Sequence, residues 1–402
     1  MAQEVEGDGS ATYGQCFQSF PNEVRALNLG QRWGDPSPTA TMHIDLHTVT
    51  RASSSFDFRT FDQEGVIFFG DTQPEVDWFI LAMRGGKPEI QIFNNVTKIT
   101  VSGGPRIDDG KWHQLMVKNE GHAIALEVDG EMHLAMSHVS HSIVSRPSPS
   151  LRIGVGGLLM PPRRLLAPLN PAMDGCMRRW NWLNKSLEWQ EASSLEDKGT
   201  KRCFRAVSRG SFFPGDGLAT FSLADLSTGR RPADGSWDLR VSVQVRAPQQ
   251  AATLLAVAPA GQRPLLRLDQ QGQDLVLRMG NETELRVPLP ARGCLESHLF
   301  VRATSSQLTL TVDNTEDSAL VPKPEFESLR RAWLAGRGSL VIGGLPGQDV
   351  SMPAKDHAFF RGCLRAILVH GRELDLDAVQ SRSNSIWAHS CPGEDAGGDG
   401  GH

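Results

Sequence analysis

The sequence predicts an all-β protein made of two antiparallel β-sandwiches in tandem. Apolar and polar residues alternate with a period of two along most of the chain, which is typical of strands with one buried face. Polar turns separate these segments at short intervals, and helical periodicity is confined to residues 188–198 and 329–336. The pattern also occurs twice, so one type of sandwich accounts for both halves of the chain.

The strands are predicted to form hairpins. Residues 78–93 are expected to form two strands joined at Gly85-Gly86, because glycine suits the positive-φ positions of a tight turn. Residues 112–130 have the same form, and so do 265–281 and 298–314 in the second half. Short strands joined in this way favour an antiparallel sandwich over an α/β sheet.

An internal repeat sets the number of domains. Residues 151–159 resemble 339–347, and residues 174–183 resemble 361–370, both with an offset of 187 residues. We therefore predict a first domain over 39–205 and a second over 206–392. The flanking residues 1–38 and the acidic, glycine-rich tail 393–402 are predicted to be disordered.

Composition excludes several classes of protein. The 402 residues carry 41 Lys and Arg against 46 Asp and Glu, so a nucleic acid is not the expected partner. The apolar runs are far shorter than the roughly 18 residues of a membrane-spanning helix. The first 15 residues lack the basic start and apolar core of a secretory signal peptide.

Four of the six cysteines follow the repeat. Cys176 precedes Cys203 by 27 residues, and Cys363 precedes Cys391 by 28. This spacing favours one disulfide in each domain and hence an oxidising compartment. The alternative is four buried thiols in a cytosolic protein. Cys16 and Cys294 have no counterparts in the repeat. The N-x-S/T sequons at Asn95, Asn184 and Asn281 agree with secretion.

Signatures of catalysis are absent from the sequence. The chain contains no H-E-x-x-H, C-x-x-C, G-x-S-x-G or P-loop motif. His43 and His47 are four residues apart, but on a predicted strand such residues lie about 13 Å from each other and cannot share a metal ion. The sequence therefore predicts a binding protein rather than an enzyme.

The stretch from 53 to 130 carries a resemblance to a known family. The motifs D-x-x-G-V-I-F-x-G-D (62–71), D-D-G-x-W-H (108–113) and L-x-V-D-G (126–130) together resemble a laminin G-like domain, which implies sandwiches of the jelly-roll type. SSSF (53–56), DWF (77–79), GGLL (156–159) and WAHSCP (387–392) are similar to the sex hormone-binding globulin family. The resemblance covers about residues 40–392.

That resemblance implies a secreted, homodimeric carrier that binds androgens and oestrogens without covalent bonds and controls the level of free steroid. The expected ligands are 5α-dihydrotestosterone, testosterone and oestradiol, held between the sheets of the first domain. By the resemblance, Ser54 bonds the ring A oxygen, and Asp77 and Asn94 bond the 17β-hydroxyl. Phe79 and Val117 are expected to form apolar walls of the pocket. Without the resemblance, Ser54 and Asn94 read as turn residues, Asp77 as a solvent-exposed strand start, and both apolar residues as core.

Several positions depart from the family pattern. Asn119 and Leu151 replace methionines of the pocket, and Val96 replaces a tryptophan. The two histidines of the family's zinc site correspond to Asn95 and Ser148, so we predict that this chain lacks that site.

Two further features are implied by the resemblance, and a third by the sequons. The resemblance places a structural calcium ion at Asp62, Glu64 and Ala172, and dimer contacts at Val101 and Leu134. We expect glycosylation at Asn184 and Asn281. Two other functions remain open: a receptor-ligand or adhesion module of the protein S type, and an intracellular lectin-like protein.

Overall fold

The structure is a computed structural model. It describes residues 23, 25–30, 33–48, 53–119, 123–137, 150–183, 194–195, 201–227, 237–290, 296–345 and 358–393. The contacts between residues divide the chain into two compact units, with the division between Arg209 and Gly210. Within the described ranges, no helix has the length and apolar content needed to cross a membrane.

The first unit is built almost entirely of strands. They are β1 (Leu27–Asn28), β2 (Ala40–Asp45), β3 (Ser53–Thr60), β4 (Gly65–Gln73), β5 (Asp77–Arg84), β6 (Lys87–Phe93), β7 (Lys98–Ser102), β8 (His113–Asn119), β9 (Ala123–Val128), β10 (Glu131–Ser137), β11 (Ser150–Val155), β12 (Gly175–Asn181), β13 (Ser194–Leu195) and β14 (Val207–Arg209). Single 3₁₀ turns lie at Leu46–Thr48 and Pro162–Arg164.

Two antiparallel sheets form the sandwich of the first unit. Sheet A has the strand order β1-β12-β3-β8-β9-β10, and sheet B has the order β13-β2-β11-β4-β5-β6-β7. Their facing side chains meet in one apolar core, where Phe56 of sheet A and Phe68 of sheet B lie with ring centroids 5.9 Å apart. Sheet A and sheet B therefore enclose the core of the first unit.

The outer face of sheet B is buried as well. Val66, Phe69 and Ile80 on that face pack beneath Leu158 and Met160 of the segment that follows β11. Burial on both faces explains why β4 contains a continuous apolar run rather than a strict alternation. The covering segment is fixed by Gln91, whose Oε1 accepts hydrogen bonds from two backbone N–H groups of that segment.

The second unit repeats this architecture. Its strands are β15 (Ser211–Pro214), β16 (Ala219–Ser222), β17 (Leu239–Arg246), β18 (Gln250–Ala258), β19 (Leu266–Gly272), β20 (Asp274–Met279), β21 (Thr283–Pro288), β22 (Ser297–Ala303), β23 (Gln307–Val312), β24 (Thr315–Leu320), β25 (Ser339–Ile342), β26 (Ala358–Phe359), β27 (Arg361–Val369), β28 (Arg372–Glu373), β29 (Ser381–Arg382) and β30 (Ser390–Pro392). Its helices are α1 (Leu223–Leu226) and α2 (Lys323–Leu334).

The second unit is also a two-sheet sandwich, and its core is continuous. One sheet follows β15-β27-β17-β22-β23-β24, and the other follows β21-β20-β19-β18-β25-β16-β29. Apolar residues of both sheets and of α2 form a single cluster between them. The fold predicted from the sequence, all-β with tandem sandwiches, is therefore confirmed.

Most local predictions agree with the structure, and three were wrong in part. The helix expected at 329–336 exists but begins earlier, at Lys323, because prolines are favourable in the first turn. Ser194–Leu195 is a strand within the segment 188–198 that was predicted helical; the rest of that segment lies outside the described residues. Residues 27–28 pair with β12 inside the segment 1–38 that was predicted disordered, since so short a strand has no visible alternation.

Contrary to the prediction from the sequence, His43 and His47 do not lie on one strand. His43 lies on β2, but the strand ends at Asp45 and His47 belongs to a 3₁₀ turn. Asp45 ends the strand because its carboxylate accepts a hydrogen bond from the His47 N–H over 2.9 Å.

The two predicted disulfides are present. Cys176 is bonded to Cys203 with Cα atoms 6.1 Å apart, and Cys363 is bonded to Cys391 with Cα atoms 5.9 Å apart. Each ties the C-terminal segment of its own unit to a sheet. Cys16 and Cys294 lie outside the described residues.

Candidate functional site

A cavity lies between sheets A and B of the first unit. It has a volume of about 790 Å³, counting the part that is open to solvent. Its lining comes from both sheets: Ser54, Phe68, Gly70, Asp71, Thr72, Asp77, Trp78, Phe79, Ile92, Asn94, Val117, Asn119, Ile124, Leu151, Ile153 and Leu183. A cleft lined mainly by apolar side chains, with a few polar groups among them, suits a small organic ligand.

Burial distinguishes the deep end of the cavity from its mouth. Phe68, Ile124 and Ile153 are almost fully buried and form the deep apolar wall. Three half-buried lining residues lie at strand ends: Thr72 and Asp77 beside the β4–β5 turn, and Asn119 at the end of β8. We call this rim of strand ends the mouth.

Ser54 supplies a hydroxyl inside the cavity. It lies on β3, where strand alternation turns it toward sheet B, and it is 8% exposed. Its Oγ accepts a hydrogen bond from the Leu183 N–H over 3.1 Å. That bond fixes the position of the oxygen and leaves the hydroxyl proton to be donated.

Asp77 and Asn94 lie side by side at the mouth. Trp78 pairs with Phe93 across β5 and β6, so the residues one step beyond this pair are neighbours. The Asp77 carboxylate accepts a hydrogen bond from the Thr72 hydroxyl over 2.7 Å, which fixes its orientation. An oriented hydrogen-bond acceptor, the Asp77 carboxylate, therefore lies next to the Asn94 amide.

The contacts of Asn94 determine which way its amide faces. Its Oδ1 accepts hydrogen bonds from the N–H groups of Val96, at 2.9 Å, and of Thr97, at 2.6 Å. Because the oxygen is occupied by the turn, the Nδ2 group is the part of Asn94 that can donate to a ligand. A hydroxyl that donates to Asp77 can therefore accept from Asn94.

The second carboxylate of the wall is already neutralised. Asp71 is 1% exposed, and both of its oxygens are bonded by the Arg152 guanidinium, with Nε 2.7 Å from Oδ1. Such a bidentate pair compensates the buried charge. Burial works against the charge of Arg152, yet its hydrogen bond to Asp71 is the larger influence and raises the pKa of the guanidinium. Sequence reasoning missed Asp71 as a pocket residue, although Asp71 ends the motif D-x-x-G-V-I-F-x-G-D (62–71).

Aromatic rings close the deep end. Phe68 lies 5.4 Å from Phe79 and 5.2 Å from Trp182, measured between ring centroids, and Trp182 also contacts Phe56. Sequence reasoning had selected only Phe79 from this cluster. Phe68 lies two residues before Gly70 on the same face of β4, but periodicity alone does not distinguish the wall of a cavity from ordinary core.

All seven residues predicted for the pocket line this cavity: Ser54, Asp77, Phe79, Asn94, Val117, Asn119 and Leu151. Val117 is 7% exposed and lies directly opposite Ser54 across β3 and β8. Asn119 faces the cavity at the mouth, and Val96 is 72% exposed on the neighbouring turn. The roles of these residues toward a ligand stay predictions.

The residues expected to bind calcium lie close together. Asp62 is 4% exposed, and its two oxygens accept hydrogen bonds from the N–H groups of Glu64, at 3.1 Å, and Asp174, at 3.0 Å. The Ala172 carbonyl presses against Gly65, where an added Cβ would lie 2.3 Å from that oxygen. The contacts given for the Asp62 carboxylate are thus with backbone N–H groups. Carboxylate and carbonyl oxygens are ligands that calcium accepts, and the calcium site stays a prediction.

The remaining predicted residues have varied surroundings. Val101 lies on β7 and Leu134 on β10, the edge strands of sheets B and A, and Leu134 is buried in the core. Asn281 is exposed in the β20–β21 hairpin. Asn184 and Ser148 lie outside the described residues.

Comparison with known proteins identifies the family. Laminin G domain models match residues 58–188 and 226–372. The chain is 39% identical over 367 residues to sex hormone-binding globulin of Crocuta crocuta, which covers 91% of this chain and 89% of that protein. It is 31% identical to growth arrest-specific protein 6 of Mus musculus, of which it spans only 57%.

A solved structure agrees with the fold. Domains LG4-5 of the mouse laminin alpha1 chain superpose with a TM-score of 0.69 at 18% identity, covering 94% of this chain and 97% of that one. Two matches to the laminin G model and the extent of the sequence identity lead to one conclusion: the chain belongs to the sex hormone-binding globulin family of tandem laminin G domain proteins.

Proposed function

We propose that this protein is a secreted, non-enzymatic carrier of androgens and oestrogens, which binds one steroid in the cavity of the first unit and thereby controls free steroid. The observation that carries the proposal is the pair Asp77 and Asn94 at the mouth of a mainly apolar cavity, with Ser54 deeper inside. A steroid is a rigid apolar plate with a polar group at each end, and this cavity offers matching groups.

The expected ligand is neutral. Asp71 is paired with Arg152, and Asp77 is oriented by Thr72 to accept a hydroxyl proton. A 17β-hydroxyl would donate to Asp77 and accept from Asn94 Nδ2, while Ser54 would donate to a ring A ketone. A ligand that lacks one of these groups leaves a buried polar atom unpaired, which costs about 1–3 kcal/mol.

Equilibrium binding of tritiated 5α-dihydrotestosterone tests the proposal. We expect saturable binding with one site per chain, displaced by testosterone and oestradiol and not by cholesterol, which has an alkyl chain in place of the 17β-hydroxyl and would leave Asp77 and Asn94 without a hydrogen bond from the ligand. A correctly folded protein without saturable binding would contradict the carrier function.

A receptor-ligand module is the second candidate, and the similarity to growth arrest-specific protein 6 favours it. Binding to immobilised receptor ectodomains separates the two functions. In the receptor model, Asp77→Ala leaves receptor binding unchanged, and no steroid competes with the receptor.

We also propose a structural calcium ion held by Asp62 with the carbonyl oxygens of Glu64 and Ala172. The ion would tie the start of β4 to the segment before β12. Calcium should raise the unfolding temperature of the wild-type protein and not that of Asp62→Asn, whose amide keeps a hydrogen-bonding oxygen but lacks the charge. Equal shifts in both proteins would contradict the site.

A further inference from the structure

The turn between β6 and β7 carries a sequon in a fixed conformation. It reads Asn95-Val96-Thr97, and Asn94 immediately before it holds the turn. The Asn94 N–H donates to the Thr97 carbonyl over 2.8 Å, and the Asn94 Oδ1 accepts from the N–H groups of Val96 and Thr97. The loop is therefore closed by three hydrogen bonds that leave the Asn95 side chain unused.

The two adjacent asparagines face opposite environments. Asn94 is 9% exposed and lines the cavity, whereas Asn95 is exposed to solvent and Val96 is 72% exposed. Thr97, which completes the sequon, is 6% exposed. Because Thr97 is buried in the folded turn, a glycosyltransferase must recognise this sequon before the turn folds. In the folded turn, the exposed Asn95 side chain has room for a sugar, whereas the buried Asn94 does not.

The exposed asparagine stands at the mouth of the cavity. Consecutive Cα atoms are about 3.8 Å apart, so a sugar on Asn95 begins one residue from the amide of Asn94. Asp77 lies across the neighbouring strand end from Asn94. A branched, hydrated glycan at this point occupies solvent through which a ligand must pass.

We propose that Asn95 carries an N-linked glycan that restricts passage of ligand through the mouth of the cavity. The inference rests on the proposed carrier function, because the passage concerns the same site. The sugar touches neither the deep wall nor Ser54, so it acts as a barrier and not as part of the binding surface.

A barrier of this kind has a kinetic signature. It raises the free energy of the state in which ligand crosses the mouth and leaves the free and bound states unchanged. The association and dissociation rate constants then change by the same factor, and their ratio, the dissociation constant, stays constant. A glycan that contributed contacts to the bound steroid would change the dissociation constant as well.

The test uses the full chain secreted from mammalian cells behind a cleavable leader. Peptide N-glycosidase F in heavy-oxygen water labels each asparagine that carried a glycan, so peptide mass spectrometry measures the occupancy of Asn95. Rate constants for tritiated 5α-dihydrotestosterone are compared among the wild-type protein, Asn95→Gln and the enzymatically deglycosylated wild-type protein. Asn281→Gln is the matched control, because it removes a sequon from the other unit.

We expect Asn95 to be occupied and both rate constants to rise about threefold to tenfold in Asn95→Gln, within the range over which association rates vary among variants of one interface. Asn281→Gln should leave both rate constants unchanged. An unoccupied Asn95, or equal rate constants with and without its glycan, overturns the inference. If no form of the protein binds steroid, the carrier function fails, while the mass measurement still decides whether Asn95 is modified.

Discussion

Replacement of Asp77 by alanine is the sharpest test of the polar groups at the mouth. The carboxylate is oriented by Thr72 and half-buried, and the substitution removes the acceptor that we propose takes a proton from a 17β-hydroxyl. A ligand without that hydroxyl never uses the acceptor. The loss of affinity in Asp77→Ala should therefore be larger for a ligand that carries the 17β-hydroxyl than for one that lacks it.

The structure sets the size of the effect. A hydrogen bond to a charged acceptor contributes about 1.5–3 kcal/mol. Since Asp77 is only half-buried, solvent competes for the carboxylate, and the lower part of that range applies. We expect Asp77→Ala to weaken 5α-dihydrotestosterone by about 1.5–2 kcal/mol, or roughly 12- to 30-fold.

The assay is competition against tritiated ligand with two unlabelled steroids. 5α-Dihydrotestosterone carries the 17β-hydroxyl, and 5α-androstan-3-one lacks it while keeping the ring A ketone. Glu75→Ala is the matched control: it removes a carboxylate on the same turn that pairs with Arg164 and does not line the cavity. Equal losses for both steroids in Asp77→Ala, or a similar loss in Glu75→Ala, would refute the assigned role.

Two further predictions concern stability. Partial burial opposes the charged form of His113, but hydrogen bonds to Asp129, at 2.8 Å, and Asp109, at 3.0 Å, outweigh it and raise the pKa of the imidazole. The resulting stabilisation is about 1 kcal/mol after allowance for solvent screening; it is complete below the unfolded pKa near 6.5 and is lost as pH rises through the folded pKa. In urea unfolding, the free energy of unfolding of His113→Gln should therefore decline less above pH 6.5 than that of the wild-type protein. Parallel pH profiles of the two proteins would contradict this prediction. Replacing Cys176 and Cys203 by serine should cost roughly 3–4 kcal/mol, because their disulfide closes a loop of 27 residues, and an unchanged urea midpoint would count against this estimate.

The strands of the site could be predicted from the sequence, but some of its polar contacts could not. Gly85 and Gly86 form the predicted turn with φ values of 58° and 79°, since a local glycine pair is enough to specify it. In contrast, Ser54 bonds a backbone N–H 129 residues away, and Arg152 bonds Asp71 across 81 residues. Periodicity carries no information about such long-range partners.

The burial of sheet B on both faces also escaped prediction. The apolar run of β4 has the composition of a fully buried strand, but the segment that covers it is rich in proline and has no strand pattern of its own. Only its contacts show its role, because Gln91 bonds Leu166 and Ala167 through their backbone N–H groups. A covering loop is specified by its partners more than by its own sequence.

One difference between the two units lies at the position of Gly70, which lines the cavity of the first unit. Ile153 pairs with Gly70 in the first unit, and with the repeat offset of 187 the corresponding pair in the second is Leu340 with Val257. Val257 is fully buried in the core of the second unit, whereas Gly70 leaves the same position open and lines the cavity. A single missing side chain thus contributes to the space between the sheets.

Restoring that side chain should close the cavity without harming the fold. A Cβ on Gly70 would meet nothing closer than the Leu151 Cδ1 at 3.7 Å, and a branched residue suits the interior of β4 better than glycine does. We expect Gly70→Val to keep or raise the unfolding temperature while steroid binding weakens by about 1–3 kcal/mol, or 5- to 150-fold, because a rigid ligand cannot give way to the added methyl groups. The steroid affinity of Gly70→Ala should fall between those of the wild-type protein and Gly70→Val. Undiminished affinity in a folded Gly70→Val protein would mean that the ligand lies elsewhere, because the added side chain would obstruct a steroid that contacts β4 at this position.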